Sequence, residues 1–214
     1  MEFTLIDYDR WDRRDIFEFF NDSTLYLTVD FDITDFLAGL KKRGIRFYPA
    51  MIHCICRVVN NCADYRYAYD ERRRVGVWDV LHPLYTVPRK NAPHLFSMVS
   101  TAYSGDFETF YGNFRADCER AENCGRLLCD ESLPPNGIGI TASPGVSFSS
   151  FSFGGGESKP DLTPFVVIGG YRRERERTVL PVCGEFAHAV NDGYHTRNFF
   201  DGLKSAMTDL NAGR

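Results

Sequence analysis

The chain has 214 residues, 43% hydrophobic and 25% charged, enough apolar material for a sizeable core and unlike a disordered or low-complexity polymer. A formal net charge of -4 argues against a broad nucleic-acid-binding surface. No apolar run reaches the roughly 20 residues of a membrane-spanning helix, and MEFTLIDYDRWDRR does not read as a signal peptide, so the expectation is a cytoplasmic globular protein with neither membrane nor nucleic acid as partner.

In chain order, residues 11–20 read as a short amphipathic helix with Ile16, Phe17, Phe19 and Phe20 apolar and Asp12 as its cap. Leu25 to Phe31 alternates as a strand. Thr34 is placed to cap a helix with the stripe Ile33, Phe36, Leu37 and Leu40, which Gly44 ends. Pro49 suits the first turn of a helix running to about Ala63, apolar all along Ala50–Val59 and therefore expected to be buried. Strands are predicted at 75–80, 84–88 and 94–101, then a helix capped by Asp106 from Phe107 to about Glu122. Residues 124–136, with Pro134-Pro135, read as loop. Strands follow at 137–142, 145–153, 165–172 and 178–190, separated by the surface loops GGGESKPDLTP and RRERER. A helix from about Tyr194 to Leu210 carries Phe199, Leu203, Ala206, Met207 and Leu210 on one face. Helices mix with strands irregularly and no linker or repeat divides them. The expectation is one α/β (α+β) domain over residues 1–214, a two-layer sandwich with a mixed sheet.

The seven cysteines are scattered, odd in number and include no CxxC pair, which disfavours a zinc or thioredoxin-like site. Cys54 and Cys56, inside an apolar stretch, read as small buried hydrophobes. Chemistry concentrates instead in Glu185-Phe-Ala-His188-Ala-Val-Asn-Asp192-Gly193-Tyr-His195. A histidine at a strand end before a tight turn can be held with one ring nitrogen facing a cleft. Its neutral imidazole suits removal of a hydroxyl proton near pH 7, and Asp192 can brace the turn through an ion pair. By spacing alone the same residues also fit a structural histidine at a strand-turn-helix junction. His195 reads as partly exposed, His53 as a satisfied core residue, and His82 and His94 as loop or strand-end residues. No pair of histidines has metal-ligand spacing with a carboxylate, so no metal site is expected.

The segment His188-x-x-x-Asp192-Gly193 resembles the catalytic signature of the chloramphenicol acetyltransferase family, a signature that dihydrolipoyl acyltransferase domains share. Further segments match in the family's order from about residue 3 to 210. Trp11-Asp-Arg13 is similar to its Trp-x-Arg and Asp32-Ile-Thr34 to its Asp-Ile-Thr. Arg46-Phe-Tyr48-Pro49 is similar to Lys-Phe-Tyr-Pro. Val77-Trp-Asp79 and Pro83-Leu-Tyr-Thr86-Val87 follow, then Val146-Ser-Phe148-Ser-Ser150-Phe151.

The resemblance implies an acetyl-CoA-dependent O-acetyltransferase acting on chloramphenicol or a similar small hydroxyl compound. It implies acetyl-CoA as co-substrate, no permanently bound cofactor, and a homotrimer with interfacial active sites in which one sheet is extended by a neighbour's strand. His188 would be the general base, Thr141 the oxyanion-stabilising hydroxyl where the family has serine, and Arg13 with Asp192 the ion pair holding the catalytic loop. Tyr171, Tyr48 and Arg46 would contact coenzyme A. Phe19, Phe20, Leu25, Leu84, Thr86, Phe96, Phe151 and Phe153 would line the acceptor pocket. Arg172, Arg173 and Arg175 read as a solvated turn that can add positive potential near the coenzyme. Departures from the family pattern are Ala187 in place of a second histidine, Asn191 in place of cysteine, Gly145 in place of tryptophan, Val167 in place of threonine, and a loop between Phe20 and Ser23 about three residues shorter. A related enzyme with another hydroxyl acceptor, or a catalytically weak trimeric binding protein of the same fold, are the alternatives.

Overall fold

The run Ala50–Val59 has no polar face, and the computed structural model buries it: Met51, Ile52, Ile55 and Cys56 are wholly inaccessible. The structure describes residues 1–153 and 161–214. They form strands β1 (Phe3–Leu5), β2 (Thr24–Asp32), β3 (Tyr67–Tyr69), β4 (Val75–Trp78), β5 (His82–Arg89), β6 (Ala92–Ser100), β7 (Gly137–Ala142), β8 (Phe165–Ile168), β9 (Arg172–Glu174) and β10 (Arg177–Ala187). The helices are α1 (Arg14–Phe20), α2 (Thr34–Arg43), α3 (Phe47–Asn60), α4 (Phe107–Asn123) and α5 (Gly193–Asn211). No helix among the described residues is long and apolar enough to cross a membrane.

The main sheet runs β2-β10-β8-β7-β5-β6, with β9 also paired to β10. Its β5–β7 and β7–β8 pairs are parallel, whereas β2–β10, β10–β8 and β5–β6 are antiparallel, so the sheet is mixed. Helices α2 to α5 cover one face. There Leu180, Val182 and Phe186 of β10 meet Phe199, Phe200 and Leu203 of α5 and the apolar length of α3. The two-layer α/β sandwich expected from the sequence is the observed architecture. A small antiparallel sheet, β1-β4-β3, packs with α1 around a second core of Phe17, Val75, Leu162, Ala189 and Val190.

Alternation decides what the other face of the main sheet carries. Register pairs Glu185 with Phe165, Cys183 with Val167, and Val167 with Thr141, so these side chains stand on the face away from the helices. Residues 145–153 lie over this face. They were expected as a strand, but the structure gives them no ladder. Val146 caps a turn onto Gly170, the Phe148 ring lies on Phe151, and the Phe151 carbonyl accepts from the Cys183 thiol at 3.3 Å. A strand pattern without a neighbouring edge in the same chain has nothing to pair with.

Other boundaries shift for local reasons. Asp12 does not cap α1; Arg13 precedes the helix without a side-chain cap, its guanidinium engaged elsewhere. Thr34 is the first residue of α2 rather than its cap, its hydroxyl bonded to Asp32 at 2.7 Å and to the Thr178 amide at 2.8 Å. Gly44 ends α2 as expected, in the left-handed region at φ 67°. Asp106 caps α4 through the Thr109 amide. The predicted strand 165–172 breaks after Ile168 at Gly169-Gly170. Arg172–Arg177 is a hairpin, not a loop, with Arg175 at φ 56° in its turn. Strand β10 stops at Ala187, three residues before the predicted end. Strands β1 and β3 are too short to show a period in the sequence. Of the predicted loop GGGESKPDLTP, residues 154–160 lie outside the described residues.

Candidate active site

Strand β10 ends in register with Thr24 of β2, and the next amide, that of His188, donates to the Ser23 carbonyl at 2.8 Å. The chain then turns: the Val190 and Asn191 amides both return to the Ala187 carbonyl. Arg13 spans this turn from outside. Its Nε donates to the Ala189 carbonyl at 2.8 Å, Nη2 to the His188 carbonyl at 3.4 Å, and both terminal nitrogens to Oδ2 of Asp192 at 3.1 Å. A planar guanidinium can serve these acceptors together, which an ammonium cannot.

Asp192 also caps α5, accepting from the Tyr194 amide at 2.9 Å, and its Oδ1 lies 3.0 Å from Nδ1 of His195. Burial by itself raises the Asp192 carboxyl, but hydrogen bonds from His195, the Tyr194 amide and Arg13 outweigh it and hold the group down at about 2. His195 continues the chain of contacts: its Nε2 is 3.6 Å from Asp64, and its carbonyl accepts from the buried Tyr65 hydroxyl at 2.7 Å. Asn191 reaches the Asp64 carbonyl at 2.9 Å. His195 is partly exposed, as expected from the sequence, but it also takes part in this bracing. The signal was present in its position three residues after the Asp192 cap, where a side chain can reach back to the cap's own amide.

The His188 ring is stacked on Phe20, with centroids 4.0 Å apart and planes at 27°. Nδ1 is buried without a hydrogen-bond partner among the described residues. His188, Phe20, Arg13 and Asp192 are thus brought together by one end of β10, the end of α1 and the start of α5.

Phe19 packs on Phe20 at this corner, with ring centroids 4.8 Å apart, whereas Thr141 and the residues expected to contact coenzyme A lie elsewhere. Thr141 lies two strands away and five residues back along the ladder, in register with Val167 and through it with Cys183. At about 3.3 Å rise per residue and about 4.8 Å between strands, it is about 19 Å from His188. Tyr48, Tyr171 and Thr86 line a cavity of about 610 Å³ with Phe47, Ala142 and Gly145. The Tyr48 hydroxyl is buried there without a hydrogen-bond partner among the described residues, and burial pushes it well up. Gly145 sits on the cavity wall at φ 79° with open space where a side chain would start, while Gly170 lies so close to the Gly145–Val146 backbone that a Cβ there would fall 2.6 Å from the Val146 nitrogen. Arg46 does not line this cavity; it opens on a separate cleft with Lys90 and Arg115. Arg172 is matched by Asp30 at 2.7 Å and Glu174 at 2.8 Å, so little of its charge is left to the cavity.

The eight acceptor-pocket residues are not gathered within one chain. Leu84 and Phe153 line a cavity of about 330 Å³ with Glu185 and Phe165, and Thr86 faces the larger cavity. Leu25 packs toward the main core beneath the helices. Phe151 is fastened over Cys183. Phe19, Phe96 and Phe153 are exposed to 80%, 49% and 67%, unusual for large aromatics. Phe96, on β6, is four strand spacings or about 19 Å across the sheet from β10. The chain therefore carries a histidine-bearing corner at one end of β10, from which the smaller cavity runs past Ala187 and Thr24 to Leu84 and Phe153, and it carries Thr141 and the larger cavity away from that corner.

The family model described as chloramphenicol acetyltransferase matches residues 1–204. A chloramphenicol acetyltransferase of Staphylococcus intermedius is 34% identical over 203 residues, 94% of each chain. One of Clostridium perfringens is 31% identical over 204 residues, covering 94% of this chain and 93% of its own. A solved chloramphenicol acetyltransferase superposes with a TM-score of 0.80 at 22% identity, over 96% of this chain and all of that one. A probable dihydrolipoamide acetyltransferase of Listeria monocytogenes shares the fold at a TM-score of 0.63. With a model that spans nearly the whole length and relatives this similar end to end, the chain belongs to the chloramphenicol acetyltransferase family of acyltransferases.

Proposed function

We propose that the protein is a chloramphenicol O-acetyltransferase that moves the acetyl group of acetyl-CoA directly to an acceptor hydroxyl, working in the cytoplasm as a homotrimer with active sites between subunits. The observation that carries this reading is the braced His188, whose ring lies on Phe20 while Arg13 and Asp192 hold its turn. Nε2 takes the hydroxyl proton as the acceptor oxygen attacks the thioester carbonyl. The tetrahedral oxyanion is met by a hydroxyl donor, the role assigned to Thr141. Collapse expels the coenzyme thiolate, which takes the proton back from the imidazolium. No acyl-enzyme forms and no resident cofactor is needed.

Reacting groups must stand within about 3–3.5 Å of one another, so His188 and Thr141 of one chain, about 19 Å apart, cannot share a site. The base of one subunit meeting the Thr141 face of the next resolves this, and it covers the exposed Phe96 and Phe153. The unpaired 145–153 segment then has a neighbour to pair with. The 610 Å³ cavity, with Tyr48 and Tyr171, is assigned to the pantetheine arm and adenine of coenzyme A. Val167, whose place in register beside Thr141 lacks a hydroxyl, favours a second reading in which the preferred acceptor is another small hydroxyl compound.

A thiol-release assay with acetyl-CoA and chloramphenicol tests the proposal beside His188→Ala. The expected result is chloramphenicol-dependent release that falls by about 10²–10⁴ in the variant. No release with chloramphenicol, but release with other hydroxyl compounds, selects the second reading; release that persists in the variant removes His188 from the mechanism. An active monomer in sedimentation contradicts the shared site.

A further inference from the structure

Two of the seven cysteines meet at the end of α4. Cys124 follows the last turn of the helix, and Gly125, at φ 70°, reverses the chain at once. The segment that returns runs beside the outer edge of β6: the Met98 amide donates to the Leu127 carbonyl at 2.6 Å and the Cys129 amide to the Met98 carbonyl at 3.4 Å. Cys129 is thereby held opposite Cys124, with the fully buried Ser97 between their approaches. The Cys124 Sγ lies 3.4 Å from Ser97 Oγ and 3.3 Å from the Arg126 carbonyl, while the Arg126 guanidinium fastens the Cys129 carbonyl at 3.0 Å. The two thiols are close enough for each to perturb the other's titration.

We infer that Cys124 and Cys129 form a reversible dithiol modification site, which a low-molecular-weight disulfide oxidises to an intramolecular disulfide. The assignment is independent of the acetyl-transfer reading. In the first step the Cys124 thiolate attacks one sulfur of the small disulfide, forming a mixed disulfide and expelling one thiolate. In the second, Cys129 loses its proton to that thiolate and attacks the Cys124 sulfur, forming the Cys124–Cys129 bond and releasing the second small thiol. Two protein thiols are oxidised and one small disulfide is reduced, so two electrons and two protons balance.

The division of roles follows from the surroundings. Partial burial raises the Cys124 thiol, but hydrogen bonds to Cys129, Ser97 and the Arg126 backbone outweigh it and leave it below the ordinary cysteine value, as an attacking thiol needs. Burial and the bond to Cys124 push Cys129 up to about 11, which suits the resolving partner. Cys54 and Cys56, deep in the α3 core, have no access, and burial pushes Cys54 up to about 12. Closure would tie the end of α4 to the segment guarding the free edge of β6, the strand that carries Phe96.

Incubation of the intact protein with oxidised glutathione, followed by intact mass and unreduced tryptic mapping, tests this. Cleavage after Arg126 puts the two cysteines on different peptides, so only a disulfide joins residues 121–126 to the peptide starting at Leu127. The wild type is expected to lose two hydrogens and yield that linked pair. Cys129→Ser should stop at a glutathione adduct on Cys124, and Cys124→Ser should give neither product, with unchanged thermal midpoints showing that both variants fold. A lasting adduct on wild-type Cys124, linkage to another cysteine, or an inert Cys124 would overturn the inference.

Discussion

Arg13 and Asp192, 179 residues apart, meet through both terminal nitrogens of the guanidinium at 3.1 Å, and the same guanidinium donates to the carbonyls of His188 and Ala189. The side chains are 14% and 32% exposed, so this is a largely desolvated contact with several bonds to one group. It fixes the turn that presents the His188 ring.

Removing Arg13 leaves two carbonyls and a carboxylate without their donor. Arg13→Ala is expected to lower stability by about 2–3 kcal/mol and to lower kcat more than it raises KM, because the base is loosened rather than removed. Arg13→Lys should recover only part of the loss, since a point charge cannot reach the same acceptors. Thermal midpoints and steady-state kinetics of the two variants check this, and wild-type kinetics in Arg13→Ala would contradict it.

Acid should act through Asp192. Its carboxyl is held at about 2 in the folded protein against 3.8 ordinarily, so folding favours the ionised form. The resulting stability is fully present above about pH 4 and is lost as pH falls from there toward 2. The difference in thermal midpoint between wild type and Asp192→Asn is expected to be constant at neutral pH and to shrink over that window. A difference independent of pH would show that the carboxylate charge is not what the loop uses.

In the proposed mechanism His195 acts through Asp192 rather than on substrate. His195→Ala removes the ring 3.0 Å from the carboxylate and is expected to slow kcat by about fivefold, near 1 kcal/mol, with KM for acetyl-CoA unchanged. The same variant should move the acid loss of stability to higher pH, because the largest of the hydrogen-bond contributions holding Asp192 down is gone. A merely structural defect would lower the midpoint without moving that window.

Gly170→Ala tests the cavity assigned to the coenzyme. Its Cβ would fall 2.6 Å from the Val146 nitrogen and 2.7 Å from the Gly145 nitrogen, so the wall at 145–146 must shift. KM for acetyl-CoA is expected to rise several-fold while KM for the acceptor changes little. Equal changes in both would place the cavity in the acceptor site instead.

Strong local signals were legible without the fold. The apolar run of α3, the Gly44 stop, the Asp106 cap and the periodic face of α5 each rest on nearest-neighbour chemistry, and the structure has them where periodicity placed them. Residues 145–153 alternate as a strand does, but a strand is made by its neighbour's hydrogen bonds, and no edge of the same chain is offered. Strands β1 and β3 exist because β4 pairs both, a fact three-residue segments cannot announce. The Asp64 contact of His195 and the approach of Cys124 to Cys129 are set by what the fold places opposite them.

Net charge argues against nucleic acid as a surface-wide partner, and the hydrophobic fraction is enough for a sizeable core. The ordered motifs from Trp11 to His195 then determined the family, because residue identity at fixed spacing is a property of the chain alone. Tertiary structure decided the distribution of the chemistry. It stacks Phe20 on His188, closes Arg13 on Asp192, and leaves Thr141 about 19 Å away with Phe19, Phe96 and Phe153 facing solvent. Strand rise and spacing are rigid lengths, so residues separated along and across one sheet cannot be drawn together by a loop. Phe19, Phe96 and Phe153 accordingly lie outside the core, on separate parts of the surface.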